Sequence, residues 1–310
     1  MKKITAIIML FMIVACTPSS EIVYKNVENG VVFIANEKDD NGNIGTGFFI
    51  DKNLIMTNYH VVADGNKIII RMKDSNFLWE AKVLSYSEDH DIALLEIKEW
   101  DKFTSKESWK PLQFFDSRLL NVGEPVHALG HPWGLAWTFS SGVLSAKDRT
   151  APNSSSVLFL QVDARIYQGN SGGPLFNKNG KVVGVNAQML EGKGGSYGFV
   201  IPSQYVQKVL YDLKKYKESK TLRLGILLDY TENRENILIK EVAKDSAAEK
   251  CDIRENDVII GLQTQQSLNY IKIKNMVDFI KNIITLNMDQ NLINMMIRRS
   301  DEITEIQCKL

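Results

Sequence analysis

Between residues 22 and 201 the apolar positions fall in short runs, Val31-Val32-Phe33-Ile34, Gly47-Phe48-Phe49-Ile50, Lys67-Ile68-Ile69-Ile70, Ile92-Ala93-Leu94-Leu95 and Val182-Val183-Gly184-Val185, broken by Gly, Asn and Asp. Runs of this length, rich in β-branched residues and bounded by turn formers, predict strands. No helical period interrupts them, so an antiparallel barrel or sandwich is expected rather than a parallel α/β sheet. After residue 201 the period changes: Pro202-Ser203 followed by Tyr205, Val206, Val209, Leu210 and Leu213 predicts an N-capped amphipathic helix, and 214–221 reads as a charged linker. Beyond it, strands are expected near 225–228 and 237–239, then a helix whose apolar face carries Met276, Phe279, Ile280 and Ile283. A closing hairpin, 293–298 and 303–310, would turn at Ser300-Asp301.

The 310 residues suit two domains of roughly 100–200 residues each. The pattern places them at 21–213 and 222–310, joined by 214–221. Composition adds little: 44% hydrophobic and 24% charged residues are ordinary for a globular chain. Lys+Arg and Asp+Glu both number 37, so no net charge draws the protein to nucleic acid.

The first residues change the picture more. Lys2 and Lys3 precede an uncharged, mostly apolar run that is too short to span a bilayer, which reads as a secretory signal. It stops at Ile13-Val14-Ala15-Cys16, which resembles the bacterial lipobox, so residues 1–16 are expected to be a lipoprotein signal peptide ending at a lipidated Cys16. Thr17 after it, rather than Asp, favours the outer membrane where there is one. An export compartment permits a disulfide between Cys251 and Cys308. The surroundings of Cys251 suit a small buried residue, however, and spacing alone leaves the pairing open.

The chemistry centres on Gly169-Asn170-Ser171-Gly172-Gly173-Pro174. A serine hydroxyl needs a base to take its proton, and the oxyanion it creates needs backbone N–H donors. Flanking glycines allow a tight turn that aims the Gly169 and Ser171 N–H groups at one point. The string also fits the nucleophile elbow of α/β-hydrolases, but there the catalytic His follows the Ser. All four histidines here, His60, His90, His127 and His131, precede Ser171, which removes that fold. A subtilisin order would need Asp39, Asp40 or Asp51 and an α/β sheet, against the β-rich pattern. The order His, Asp, Ser remains. His60 closes an apolar strand where a polar turn would expose its ring, and Asp91 opens a small-residue strand able to set a carboxylate against an imidazole, with Asp89 its near competitor. His90 and His131 read as structural, the latter in a loop, and no cluster of metal ligands is apparent.

The strings Thr57-Asn58-Tyr59-His60-Val61, Asp91-Ile92-Ala93-Leu94 and Gly169-Asn170-Ser171-Gly172-Gly173-Pro174 resemble, in that order, the HtrA/Deg family of chymotrypsin-fold serine proteases. Further matches are Gly45-Thr46-Gly47-Phe48, Gly130-His131-Pro132-Trp133-Gly134-Leu135, Ser141-Gly142-Val143 and Gln161-Val162-Asp163-Ala164, so the likeness covers most of 31–201. It implies a mainly β fold with a chymotrypsin-like double barrel, peptide-bond hydrolysis by His60, Asp91 and Ser171 without a cofactor, and misfolded or damaged envelope proteins as substrates. It also implies a homotrimer outside the cytoplasm. Arg165, Ile166, Val185, Asn186 and Ala187 would line the primary pocket. Arg165 departs from the small or apolar residue usual there, as His131 departs from Asn.

The segment Arg223-Leu224-Gly225-Ile226 resembles the carboxylate-binding loop of a PDZ domain, a small α+β fold that receives peptide C-termini as an added edge strand. The string Val242-Ala243-Lys244-Asp245-Ser246-Ala247-Ala248 and the later Asp257-Val258-Ile259 fit the same resemblance. The alternatives are an envelope chaperone or peptide-binding lipoprotein with latent protease activity, and a dedicated processing enzyme.

Overall fold

The computed structural model describes residues 18–37, 42–102, 108–151, 154–192, 195–219, 223–231, 236–264, 267, 269–284, 286 and 292–310. The signal segment and Cys16 lie outside them. Helix α1 (Ser20–Val27) is the first element of the described residues, with the Ser19 hydroxyl accepting from the Ile22 N–H at its start. Six strands follow, β1 (Val31–Glu37), β2 (Asn43–Asp51), β3 (Leu54–Thr57), β4 (Lys67–Met72), β5 (Leu78–Ser87) and β6 (Ile92–Ile97), interrupted by the single turn of α2 (Tyr59–Val62). They close into a barrel in the order β1-β2-β3-β6-β5-β4. A second barrel, β10-β11-β12-β9-β8-β7, is built from β7 (Pro125–Gly130), β8 (Thr138–Ala151), β9 (Ser154–Val162), β10 (Pro174–Asn177), β11 (Val182–Gly192) and β12 (Gly195–Pro202). The expected antiparallel β architecture is therefore two closed barrels.

The apolar runs are continuous rather than alternating because strands at the junction bury both faces. Successive strand residues point to opposite sides. Phe49, Ile55 and Leu95 point into barrel one, while their neighbours Phe48, Met56 and Leu94 join Leu129, Phe176, Val185 and Ile201 between the barrels. Barrel two has its own interior around Leu120, Val126, Leu144, Leu160, Val183 and Val200.

Helix α3 (Ser203–Tyr216) packs its Tyr205, Val206, Val209 and Leu213 stripe into the junction. Two expectations about it need correction. Ser203 is not its cap but its first residue, buried, with its hydroxyl donating to Phe115 O (2.6 Å) and accepting from Ser117 N (3.0 Å). The helix also runs three residues into the segment read as linker. It ends at Lys217 in a left-handed conformation, which satisfies a late carbonyl.

The C-terminal unit is a sheet ordered β13-β14-β15-β17-β18, from β13 (Ile226–Tyr230), β14 (Ile237–Val242), β15 (Val258–Thr264), β17 (Leu292–Arg299) and β18 (Glu302–Lys309), with β16 (Ile271–Lys272) paired to β15. Helices α4 (Ala247–Lys250) and α5 (Met276–Ile284) accompany it. Phe279 and Ile283 of α5 enter this sheet's core, whereas Val277, Ile280 and Ile284 pack with the inter-barrel cluster, and Lys281 pairs with Asp148 at 2.7 Å. Cys251 and Cys308 form a disulfide with α-carbons 5.3 Å apart, so Cys251 is a staple rather than the small buried residue its neighbours suggested. Sequence could not place the end of α4 against β18; the sheet does. Among the described residues no helix is long and apolar enough to cross a membrane.

Candidate active site in the crevice between the barrels

His60 stands on α2, immediately after β3, with its side chain half exposed at the crevice. Asp91 is the last residue of the β5–β6 turn. Its N–H donates to Glu88 O (3.1 Å), and its φ of 52° lies in the left-handed region, which Asp tolerates better than bulkier residues. This turn brings the carboxylate back onto α2 and grips His60 twice. Oδ2 lies 2.7 Å from His60 Nδ1, and Oδ1 accepts the His60 backbone N–H at 2.9 Å. Asn58 Nδ2 donates to Asp91 O at 2.7 Å and fixes the turn from below. With Nδ1–H directed at the carboxylate, the tautomer leaves Nε2 as the acceptor facing the crevice. Asp89, the rival carboxylate, is engaged by Arg223 instead.

Ser171 comes from barrel two, on the loop between β9 and β10. Its Oγ donates to Ala187 O on β11 at 3.2 Å. The loop is welded to barrel one by Thr46, whose N–H donates to Ser171 O (2.9 Å) and whose hydroxyl donates to Gly169 O (2.6 Å). Thr57 Oγ1 in turn donates to Thr46 O (2.7 Å). Both threonines are fully buried, so these bonds carry the crevice's register without competition from water. Glycine is required here: at Gly172, with φ +81°, a β-carbon would lie 2.1 Å from Thr57 Oγ1 and 2.3 Å from Thr46 O. At Gly169, with φ +101°, it would lie 2.3 Å from His131 O.

The orientation of the Gln168–Gly169 peptide follows from one bond. Trp133 N donates to Gln168 O at 2.9 Å, and in a trans peptide the next N–H points to the opposite side, so the Gly169 N–H faces away from Trp133.

The residues expected to line a pocket separate. Arg165 is exposed, with its carbonyl accepting from Ser140 Oγ (2.9 Å). Ile166 is buried in barrel two against Gly198. Val185 belongs to the inter-barrel core and Asn186 is buried, its N–H donating to Gly173 O (2.9 Å), while Ala187 lies beside Ser171. His131 lies in the loop after β7, as expected, but is buried there. Its ring is fully buried between Phe33 and Trp137, it accepts the Trp137 N–H at 3.0 Å, and burial pushes its pKa down to about 3. His90 is likewise buried against Ser87 Oγ (2.8 Å) and lowered to about 4, chiefly by desolvation. Thr46 and Thr57 lie within the strings read from sequence, yet only their contacts reveal that they lock the loop. A separate cleft of about 1180 Å³ on the outer face of barrel one, reaching from Phe33 and Arg71 to Trp79, contains none of His60, Asp91 and Ser171.

A trypsin-like peptidase domain model matches residues 45–185, which hold His60, Asp91 and Ser171. A probable periplasmic serine endoprotease, DegP-like, of Pseudomonas fulva (strain 12-X) is 38% identical over 232 residues, covering 71% of this chain and 47% of that protein. The chain belongs to the HtrA/Deg family of trypsin-like serine proteases. It spans about half the length of the curated relatives it matches. Among solved structures, the serine endoprotease from Yersinia pestis is 26% identical, with a TM-score of 0.70 over 94% of this chain and 97% of that one. The HtrA-type protease AlgW with tripeptide has a TM-score of 0.78 at 20% identity over 94% and 96%, and so shares the fold. The two barrels thus match the chymotrypsin-like arrangement expected from the motifs.

Proposed function

We propose that the protein is a serine endopeptidase of the cell envelope that hydrolyses misfolded or damaged exported proteins, with Ser171 as nucleophile, His60 as general base and Asp91 orienting the base. The observation that carries this reading is the double grip of Asp91 on His60, which leaves Nε2 ready to accept a proton across the crevice from Ser171. The Ser171 hydroxyl turns from Ala187 O to His60 Nε2, gives up its proton and attacks the substrate carbonyl carbon. The oxyanion formed lies against the Gly169 and Ser171 N–H groups, and the imidazolium, stabilised by ionised Asp91, returns its proton to the leaving amine. Water, deprotonated by the same ring, then hydrolyses the acyl-enzyme.

In the same reading the C-terminal unit is a PDZ domain. Leu224 O accepts from Ala248 N (2.9 Å) and Gly225 O from Ala243 N (2.8 Å), so the next two N–H groups point outward, as a carboxylate-binding loop requires. Strand β13 follows as the end strand of its sheet, open to an added peptide strand. Lipid anchoring through Cys16 and assembly as a trimer complete the proposal.

The test is casein digestion by the full chain beside Ser171→Ala. The variant should lose at least about 10⁴-fold in rate; equal proteolysis by both overturns the assignment. One observation favours the second reading, a peptide-binding envelope chaperone with latent proteolysis: the Ser171 hydroxyl is bonded to Ala187 O. That reading requires no digestion by either protein, even with C-terminal peptides added.

A further inference from the structure

We infer that Trp133 and Tyr167 form an aromatic clamp that sets the direction of the Gln168–Gly169 peptide and are therefore positioning residues for the reaction; this inference rests on the function proposed above. Trp133 combines two features that are separately unfavourable. Its backbone is left-handed, φ 49° and ψ 28°, which is an outlier for so bulky a residue, and the residue is 63% exposed. Neither helps the core. What the conformation achieves is local: the indole stacks on Tyr167 with centroids 4.5 Å apart and planes 29° from parallel, while the Trp133 N–H donates to Gln168 O at 2.9 Å. Asn170 N donates back to Tyr167 O (2.9 Å), so the stacked residue is also the first of the turn that presents Ser171.

The clamp has a footing. His131 is fully buried and held by the Trp137 N–H, and its carbonyl both accepts from Gly134 N (3.0 Å) and lies against Gly169. The strand side of the clamp is therefore fixed to the core, and the aromatic pair is the part that reaches across to the loop.

The 168–169 peptide has a competing orientation. Gly169 has no side chain to oppose rotation, and a half-turn of the peptide would bring Gln168 O into the place meant for the oxyanion. The same rotation would give up the Trp133 bond and set the Gly169 N–H against the Trp133 N–H, donor to donor. Fixing Tyr167 under the indole removes the freedom of the preceding residue through which such a rotation would propagate. The clamp thus acts on transition-state stabilisation rather than on substrate contact.

Four variants of the full chain test this: Tyr167→Ala and Trp133→Gly, which remove one ring each, and Tyr167→Phe and Trp133→Phe, which keep a stack. Both truncations sit at the surface and leave the core intact, which circular dichroism would verify. The readouts are kcat and KM on a fluorogenic peptide, the rate of Ser171 labelling by a fluorophosphonate, and inhibition by a peptide boronate that forms a tetrahedral adduct. The truncations should lower kcat, labelling and boronate affinity by about 10–100-fold, part of the loss seen when an oxyanion donor is removed outright, with KM within about twofold; the phenylalanine variants should restore most of it. Unchanged kcat in both truncations, or a loss confined to KM, overturns the clamp. If the parent protein is not labelled at Ser171, the proposed function itself fails and the clamp with it. Normal labelling of parent and truncations alike sinks the clamp alone.

Discussion

The two sides of the crevice are built in different ways. On the barrel-one side, His60 and Asp91 are tied directly to each other by two hydrogen bonds, with Asn58 bracing the turn, all within a short helix and one strand start. On the barrel-two side, Ser171 rides a glycine loop whose shape is imposed from outside, by Thr46 and Thr57 of barrel one and by Trp133. The difference matches the tasks that the proposed function gives the two sides. A base must hold one tautomer in one place, which side-chain bonds accomplish. Backbone donors must take a strained path, which only glycines allow and only neighbours can enforce.

The barrel-one side carries the largest expected effect. Asp91→Asn keeps the size of the side chain but presents an amide donor where a carboxylate accepted two N–H groups, and favours the wrong imidazole tautomer. The expected outcome is a fall in kcat on the order of 10⁴, measured on a fluorogenic peptide with KM little changed; a fall below about tenfold would show that the grip of Asp91 on His60 is not what prepares the base.

The barrel-two side is tested by Gly172→Ala. The added methyl meets buried backbone and a buried hydroxyl at a positive φ, so stability should drop by about 3 kcal/mol or more, read as a lower urea midpoint. An unchanged midpoint would mean the loop has room that the threonine contacts deny.

The smallest effect is on pH dependence. His131 and His90 are buried and neutral, with pKa values pushed down to about 3 and about 4. Below an unfolded value near 6.5 the unfolded chain takes up protons that these rings refuse, so stability falls as pH falls from about 6.5 toward 4. Urea midpoints at pH 7 and pH 4.5 should show the decline, and His90→Asn should reduce it. A flat profile would mean that both rings are solvated.

Much of this was legible in the residues. Strand runs, the change of period after residue 201 and the closing hairpin with its turn at Ser300-Asp301 all lie where the pattern put them. Apolar periodicity reports burial, and burial drives these elements together. The order of histidines relative to Ser171 excluded α/β-hydrolase topology without any coordinates, because chain order is a property of sequence. The resemblance of the motifs likewise pointed to His60 and Asp91, and the fold then places His60 Nδ1 2.7 Å from Asp91 Oδ2.

Contacts between distant segments had to come from the tertiary structure. The Cys251–Cys308 bond depends on α4 meeting β18 across 57 residues, and local sequence pointed the other way. His131 lies in a loop, as its sequence suggested, but its burial was not legible there because Phe33 and Trp137, which supply it, meet the ring only in the folded chain. The surroundings of Arg165 also depend on the fold, which leaves the residue exposed, because position in a motif does not reveal which way a side chain leaves the backbone. Sequence determined which residues could perform the chemistry, since residue type and order fix what can donate, accept or attack. The closing of two barrels against each other decided which of them meet, because distance, burial and peptide orientation exist only once the chain has folded back on itself.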